Sequence, residues 1–145
     1  MDFRGRVYPI PPYFNHMGSD LARSLLVFAR GKSLGSNGLN WLKLHCINLT
    51  GLKKRESVEE RLKFAEEILD LILDSANNPI TGKRWFLDSD EPFQTFATCV
   101  EIRNALNHPE GVENYVCHLP IHQVGGYWRG PRITFIIFNQ LILFT

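Results

Sequence analysis

The residues best suited to chemistry stand at the start of the chain: Asp2, Arg4, Gly5, Arg6 and Tyr8, here called the N-terminal motif. A glycine between two arginines lets the backbone approach a partner while two cations flank the contact. Arginine suits phosphate because its planar guanidinium donates two parallel hydrogen bonds. Asp2 can orient one guanidinium, and Tyr8 offers a flat, partly polar surface to a base or sugar. The motif therefore indicates phosphate contact, although an N-terminal strand with solvated arginines would use the same residues.

A second group of cations stands in the middle of the chain. Lys53, Lys54 and Arg55 follow shortly after Gly51, between two predicted helices. Flexible cations in such a connection can reach a phosphate group. The alternative is an ordinary solvated run of charges.

Two sets of side chains have metal-binding types, but their placement argues against a metal site. His118 and His122 have a spacing that converges on one ion only in a helix. Pro120 disfavours a helix there, and on a strand the two residues would lie about 13 Å apart. The acidic residues Asp88, Asp90 and Glu91 are better explained as carboxylates that stabilise the positive end of a helix beginning there. We predict no metal ligand and no catalytic residue in this chain, which also lacks nucleophile-elbow and phosphate-loop motifs.

Charge is distributed unevenly along the chain, although the net charge is +1. Residues 1–56 hold nine Lys and Arg against three Asp and Glu, whereas residues 57–123 hold five against twelve. A basic half beside an acidic half can orient a polyanion. The two halves could equally neutralise each other across the fold.

Three widely spaced cysteines argue against a disulfide framework and favour a reducing compartment. Neither a secretory signal nor a stretch of 18 apolar residues occurs, so we expect no membrane span.

Apolar periodicity and capping signals predict a mostly helical α+β fold, with four helices flanked by short strands. The helices are predicted at 19–31, 39–49, 57–77 and 90–107, and the strands at 2–8 and 115–123. The third helix has the clearest start, because Ser57 and Glu60 form a capping box. The residues predicted to face the core from the fourth helix are Phe93, Phe96, Ala97, Val100 and Ala105.

The last 22 residues differ in composition from the rest. Residues 124–145 contain no Lys, Asp or Glu and include the apolar run 133–138. That run has the profile of an aggregation-prone strand. We predict two units, residues 1–123 and a tail at 124–145 that is foreign to the fold; a native core strand is the alternative.

Ordered blocks of this sequence resemble the single-subunit, bacteriophage-type RNA polymerases, and their mitochondrial branch in particular. The resemblance covers residues 1–123 and begins with the Asp-x-x-Gly-Arg motif of Asp2, Gly5 and Arg6. The matching blocks, in family order, are residues 1–8, 11–16, 18–20, 38–43, 48–55, 74–76, 84–85, 91–95 and 119–123. The resemblance implies an internal fragment of a mitochondrial DNA-directed RNA polymerase that comprises part of the palm of a hand-shaped enzyme.

The resemblance also implies partners and roles. In the family the Asp-x-x-Gly-Arg element contacts the template–product hybrid, which assigns nucleic-acid binding to the N-terminal motif. Lys54 resembles a family lysine that approaches the triphosphate of the incoming nucleotide. The implied partners are a DNA template, an RNA product, ribonucleoside triphosphates and, in the full-length enzyme, transcription factors. Two aspartates of that enzyme hold two magnesium ions, and its implied location is mitochondrial.

The sequence departs from the family where the metal centre begins. The family follows its His-Gln pair with Asp-Gly-Ser, whose aspartate is the first metal ligand, whereas Val124-Gly125-Gly126 follows Gln123 here. We therefore expect this chain to bind no magnesium and to be inactive alone. The tail has the composition of translated intron or out-of-register sequence. A non-enzymatic nucleic-acid-binding module and a truncated product without function are the alternatives.

Overall fold

The computed structural model describes residues 3, 5 and 8–121. Within these residues the chain forms five α-helices, two 3₁₀ helices and one two-stranded sheet. The α-helices are α1 (Asp20–Ser24), α2 (Gly38–Thr50), α3 (Val58–Glu67), α4 (Leu69–Asn77) and α5 (Pro92–Leu106). The strands are β1 (Lys32–Ser33) and β2 (Val116–Cys117), and the 3₁₀ helices are Trp85–Asp88 and Val112–Asn114. The expected mostly helical α+β class is confirmed, and the palm assignment stays a prediction.

Local signals set the ends of α2 and α5 correctly. α2 ends at Gly51, whose φ of 76° is the left-handed conformation that glycine adopts readily. α5 begins at Pro92, where the missing N–H costs no intrahelical hydrogen bond. Both helices therefore match the predicted spans to within a few residues.

The predicted third helix is two helices. Its capping box is confirmed, since Ser57 and Glu60 exchange hydrogen bonds between side chain and backbone. The helix is interrupted at Ile68, whose φ of −102° and ψ of 11° are not helical. α3 packs against α2, whereas α4 packs against α5. The chain must turn between these two partners, and this turn interrupts the continuous apolar stripe.

The first helix is shorter than predicted. α1 stops at Ser24 instead of continuing to Gly31, and Leu21 and Leu25 are about half exposed. The chain instead becomes extended, and the N–H of Phe28 donates to the carbonyl oxygen of His118 at 2.9 Å. Gly31 lies so close to His118 that an added Cβ would be 2.6 Å from the imidazole Nε2. The glycine therefore permits a close approach between two segments and does not end a helix.

The sheet is smaller than expected, and one of its two strands was not predicted. β1 pairs antiparallel with β2, and Lys32 stands opposite Cys117. β1 was not among the predicted strands, and β2 lies within the strand predicted at 115–123 but comprises only two residues. Of the predicted strand at 2–8, Phe3 lies in a turn and Gly5 in a bend, while Asp2, Arg4, Arg6 and Val7 lie outside the described residues.

The core lies where α2, α4 and α5 meet, and β2 covers one side of it. Of the five residues predicted to face the core from α5, Ala105 is buried and Ala97 and Val100 are partly buried against the core, whereas Phe93 is 45% exposed. The buried positions of α5 are Gln94, Thr95, Thr98, Cys99, Ile102 and Ala105. The prediction is therefore correct in part, and it missed that threonine and cysteine form much of the buried face.

Asp74 organises the chain after α4. Its carboxylate accepts hydrogen bonds from the N–H of Lys83 at 2.8 Å and from the side-chain amide of Asn78 at 3.2 Å. These two bonds lower the pKa of the Asp74 carboxyl below its usual value. Gly82 fits beside the carboxylate, since an added Cβ would lie 2.7 Å from an Asp74 oxygen. Residues 78–84 are thus held in a defined turn.

No helix in residues 8–121 is long and apolar enough to cross a membrane. The predicted tail at 124–145 and its boundary at residue 123 lie outside the described residues, so that division of the chain stays a prediction.

Candidate nucleic-acid interface

The predicted cationic loop is a well-defined turn at the end of α2, here called the Lys54 turn (residues 50–55). The hydroxyl of Thr50 donates to the carbonyl of Ile47 at 2.7 Å and accepts from the N–H of Leu52 at 3.2 Å. The N–H of Glu56 donates to the carbonyl of Lys53 at 3.1 Å, which closes the turn. The chain therefore leaves α2 along a path fixed by its own hydrogen bonds.

The segment before α5 holds the Lys54 turn from the other side. The N–H of Asp90 donates to the carbonyl of Thr50, and that of Glu91 donates to the carbonyl of Leu49, both at 3.2 Å. The Asp90 carboxylate faces Gly51, where an added Cβ would lie 2.0 Å from Oδ2. Glycine suits position 51 for two reasons: it adopts the positive φ readily, and it leaves space for the Asp90 carboxylate.

The Lys54 ammonium lies against the same carboxylate. Its Nζ donates to Asp90 Oδ2 at 2.6 Å, across 36 positions of sequence. The two side chains keep 64% and 59% of their exposure, respectively. The Asp90 carboxylate therefore defines the position of a cation that solvent and solutes can still reach.

The three cations of the turn do not form one patch. Lys53 has a φ of 57°, an uncommon conformation for a residue with a side chain. Its Nζ lies 6.0 Å from the centre of the Phe64 ring on α3, along a groove of about 180 Å³ that also contains three glutamates. Lys54 instead turns to the start of α5, and Arg55 is exposed. Among these cations, Lys54 is thus the one fixed by an ion pair.

A second ion pair and a side-chain cap complete the start of α5. The Asp20 carboxylate accepts from the N–H of Phe93 at 2.7 Å and from the N–H and side-chain amide of Gln94 at 3.1 and 2.9 Å. Arg23 pairs with Glu91 at 2.8 Å. Neither contact was predicted from the sequence. An Asp at the start of α1 is expected to cap its own helix, and the pair of Arg23 and Glu91 joins residues far apart in the chain.

The structure describes only part of the N-terminal motif. Asp2, Arg4 and Arg6 lie outside the described residues. Gly5 has a φ of 74°, and an added Cβ there would meet no described atom within 4 Å. Tyr8 is about half exposed. The positive φ explains why glycine suits this position, and the nucleic-acid role of the motif stays a prediction.

Three of the side chains considered as metal ligands, His118, Asp90 and Glu91, have other partners. His118 Nδ1 lies 2.6 Å from the carbonyl oxygen of Phe28, and His122 is outside the described residues. Asp90 and Glu91 form the ion pairs with Lys54 and Arg23. In the part of the chain that the structure describes, no three His, Cys, Asp or Glu side chains are grouped as metal ligands would be.

Comparison with known proteins points to one family. A family model described as DNA-dependent RNA polymerase matches residues 32–127. The chain is 58% identical over 125 residues to a protein of Mus musculus named DNA-directed RNA polymerase, mitochondrial, and 53% identical to the protein of that name from Neurospora crassa. It is 49% identical over 126 residues to DNA-directed RNA polymerase 2, chloroplastic/mitochondrial, of Arabidopsis thaliana. Each match covers 86% of this chain but only 10%, 9% and 12% of these relatives, respectively.

The contact between Gly51 and Asp90 predicts a coupled effect on stability. Gly51→Ala should cost about 1–2 kcal/mol for the left-handed backbone and more for the contact with the carboxylate. In an Asp90→Ala background only the backbone cost should remain, which urea unfolding of the four proteins would measure.

Gly35→Ala is the matched control, because Gly35 has a φ of 64° and no described atom lies within 4 Å of an added Cβ. Its cost should be the same with or without Asp90. An equal cost of Gly51→Ala in both backgrounds would contradict the steric contact.

Proposed function

Because the chain belongs to the family of DNA-dependent RNA polymerases, we propose that it is a segment of a mitochondrial DNA-directed RNA polymerase that binds phosphate groups during transcription. The family model covers residues 32–127, which include the Lys54 turn and the whole of α5. The chain spans about a tenth of the length of the mouse and human relatives it matches. We therefore propose template-directed RNA synthesis as the activity of a larger protein of which this chain is a segment.

The observation that carries the proposal is the fixed and exposed ammonium of Lys54. Its position is set by the Asp90 carboxylate and by the hydrogen bonds that tie residues 49–50 to residues 90–91. A phosphate group needs a cation that is held in place and open to solvent, because ordering a free lysine costs side-chain entropy. We propose that Lys54 contacts the triphosphate of a ribonucleotide.

The N-terminal motif supplies the second phosphate contact in this proposal. Arg4 and Arg6 can each donate paired hydrogen bonds to phosphate. Gly5, with its positive φ, allows the backbone to approach a duplex closely. We propose that this motif binds the template–product hybrid, with Tyr8 against a sugar or base.

The side chains at the expected magnesium position do not fit a magnesium ion. Val124 stands where the resembling family places its first metal-binding aspartate, and a valine has no ligand atom. We propose that this chain by itself does not transfer nucleotides and that its own residues bind and orient phosphate groups.

The mitochondrial location is the one supported by the names of the mouse, human and Neurospora crassa relatives. The other proposed partners are the DNA template, the RNA product and, for the larger enzyme, transcription factors.

Replacing Lys54 tests the triphosphate contact. Lys54→Gln should weaken binding of a ribonucleoside triphosphate about fivefold, the factor that corresponds to one pair of unit charges about 4 Å apart in water. Isothermal titration calorimetry at low salt measures this affinity. Lys63→Gln removes an exposed lysine on α3 and should change it less; equal losses in the two variants would argue against a specific role of Lys54.

Salt dependence tests the hybrid contact. The double variant Arg4→Gln/Arg6→Gln should weaken binding of an RNA–DNA hybrid and lower the slope of log affinity against log salt by roughly two, about 0.9 per lost phosphate contact. Fluorescence anisotropy at several salt concentrations measures the slope. The matched control is Lys83→Gln/Arg84→Gln, which also removes two neighbouring cations; an unchanged slope in the arginine variant would refute the contact.

The absence of catalysis can be measured directly. The purified chain, given magnesium, ribonucleoside triphosphates and a primed template, should extend no RNA, since a valine at position 124 cannot hold the metal. Template-dependent incorporation above a reaction without template would overturn this proposal.

A further inference from the structure

Three ion pairs join side chains of the described residues, and they differ in accessibility. Lys43 is almost completely buried where it meets Glu66, and Arg23 keeps 24% of its exposure beside Glu91. Lys54 and Asp90 remain 64% and 59% exposed. An exposed ion pair contributes little stability, because water screens both charges. Of the three pairs, the one between Lys54 and Asp90 is therefore the easiest for a competing anion to open.

The carboxylate of this pair is held independently of the lysine. The Asp90 N–H is bonded to the carbonyl of Thr50, and the neighbouring Glu91 N–H is bonded to that of Leu49. The Asp90 side chain also packs against Gly51, in a space that a Cβ would fill. The lysine, in contrast, has a long and flexible side chain, and among the described residues its ammonium pairs with this carboxylate. If the pair opens, the lysine moves and the carboxylate stays.

We propose that Asp90 is an internal counter-anion of Lys54, with which an incoming phosphate competes for the ammonium. This inference rests on the proposed contact between Lys54 and a triphosphate. Oδ2 of Asp90 lies 2.6 Å from Nζ and accepts from one of the three N–H donors that a phosphate oxygen could also use. Binding is then an exchange of one anion for another: Asp90 holds the Lys54 ammonium in the free chain and lowers the affinity of the site for phosphate.

The exchange has a consequence that a purely structural role of Asp90 lacks. Asparagine has nearly the shape of aspartate and can still accept a hydrogen bond from Lys54 and pack against Gly51. If Asp90 only holds the turn, Asp90→Asn leaves triphosphate affinity unchanged or weakens it. If Asp90 competes with phosphate, the same substitution removes the competitor and also its repulsion of the ligand.

The test is the affinity of inorganic tripolyphosphate for the wild-type chain, Asp90→Asn, Lys54→Gln and the double variant, measured by calorimetry at low salt. Asp90→Asn should bind about fivefold more tightly than wild type, the factor that corresponds to the attraction between two unit charges about 4 Å apart in water, which the ligand no longer has to overcome at Lys54. In the Lys54→Gln background the gain should fall below about twofold, because no cation is left to release.

Asp88→Asn is the matched control. Asp88 is an exposed acid two positions before Asp90, and the ion pair of Lys54 is with Asp90. If Asp88→Asn raised the affinity for tripolyphosphate as much as Asp90→Asn, the effect would come from the loss of any negative charge nearby. That result would overturn the inference. Circular dichroism of each variant confirms that the helices are kept.

The variants distinguish the role of Asp90 as a counter-anion from the contact between Lys54 and a triphosphate. If Lys54→Gln weakens tripolyphosphate binding but Asp90→Asn does not tighten it, the triphosphate contact stands and the counter-anion is refuted. If Lys54→Gln leaves the affinity unchanged, both are refuted. A tighter Asp90→Asn whose gain depends on Lys54 supports both.

Discussion

The described structure depends on finding acceptors for the first N–H groups of α5. A helix has no internal acceptors for its first amides, so other parts of the chain must supply them. Asp20, from the short helix α1, supplies the acceptor for two of them. The segment just before the helix is bonded to the end of α2 through Asp90 and Glu91. Three regions far apart in sequence thus meet at one helix end, and the negative carboxylates there also suit the positive end of the helix dipole.

The position of the Lys54 ammonium follows from the same meeting point. Lys54 belongs to a turn whose shape is set locally by Gly51, but its ammonium is located by Asp90, which belongs to the start of α5. A change that moved α5 would therefore also move the cation. The place of this one charge is therefore coupled to the packing of α2 against α5.

Elements with strong local signals were predictable from sequence, and elements set by distant contacts were not. The capping box at Ser57 and the stop at Gly51 depend on a few adjacent residues, and both are confirmed. The early end of α1 depends on His118, which accepts from the N–H of Phe28. The interruption at Ile68 depends on two different packing partners for α3 and α4. Neither cause is visible in a window of neighbouring residues.

The threonines on the buried face of α5 and the partner of Lys54 were missed for related physical reasons. The hydroxyls of Thr95 and Thr98 donate to carbonyls four residues earlier in their own helix, so burying them leaves no unpaired donor and the threonines can replace phenylalanine inside. Apolar periodicity cannot detect this, because it scores a hydroxyl as polar whether or not it is paired. The sequence likewise marks Lys54 as a candidate cation but cannot reveal Asp90, 36 positions away, as the anion beside it. Which charge stands opposite a cation decides whether a ligand binds an open site or must compete with a carboxylate, and that distinction arises only once α2 and α5 are packed together.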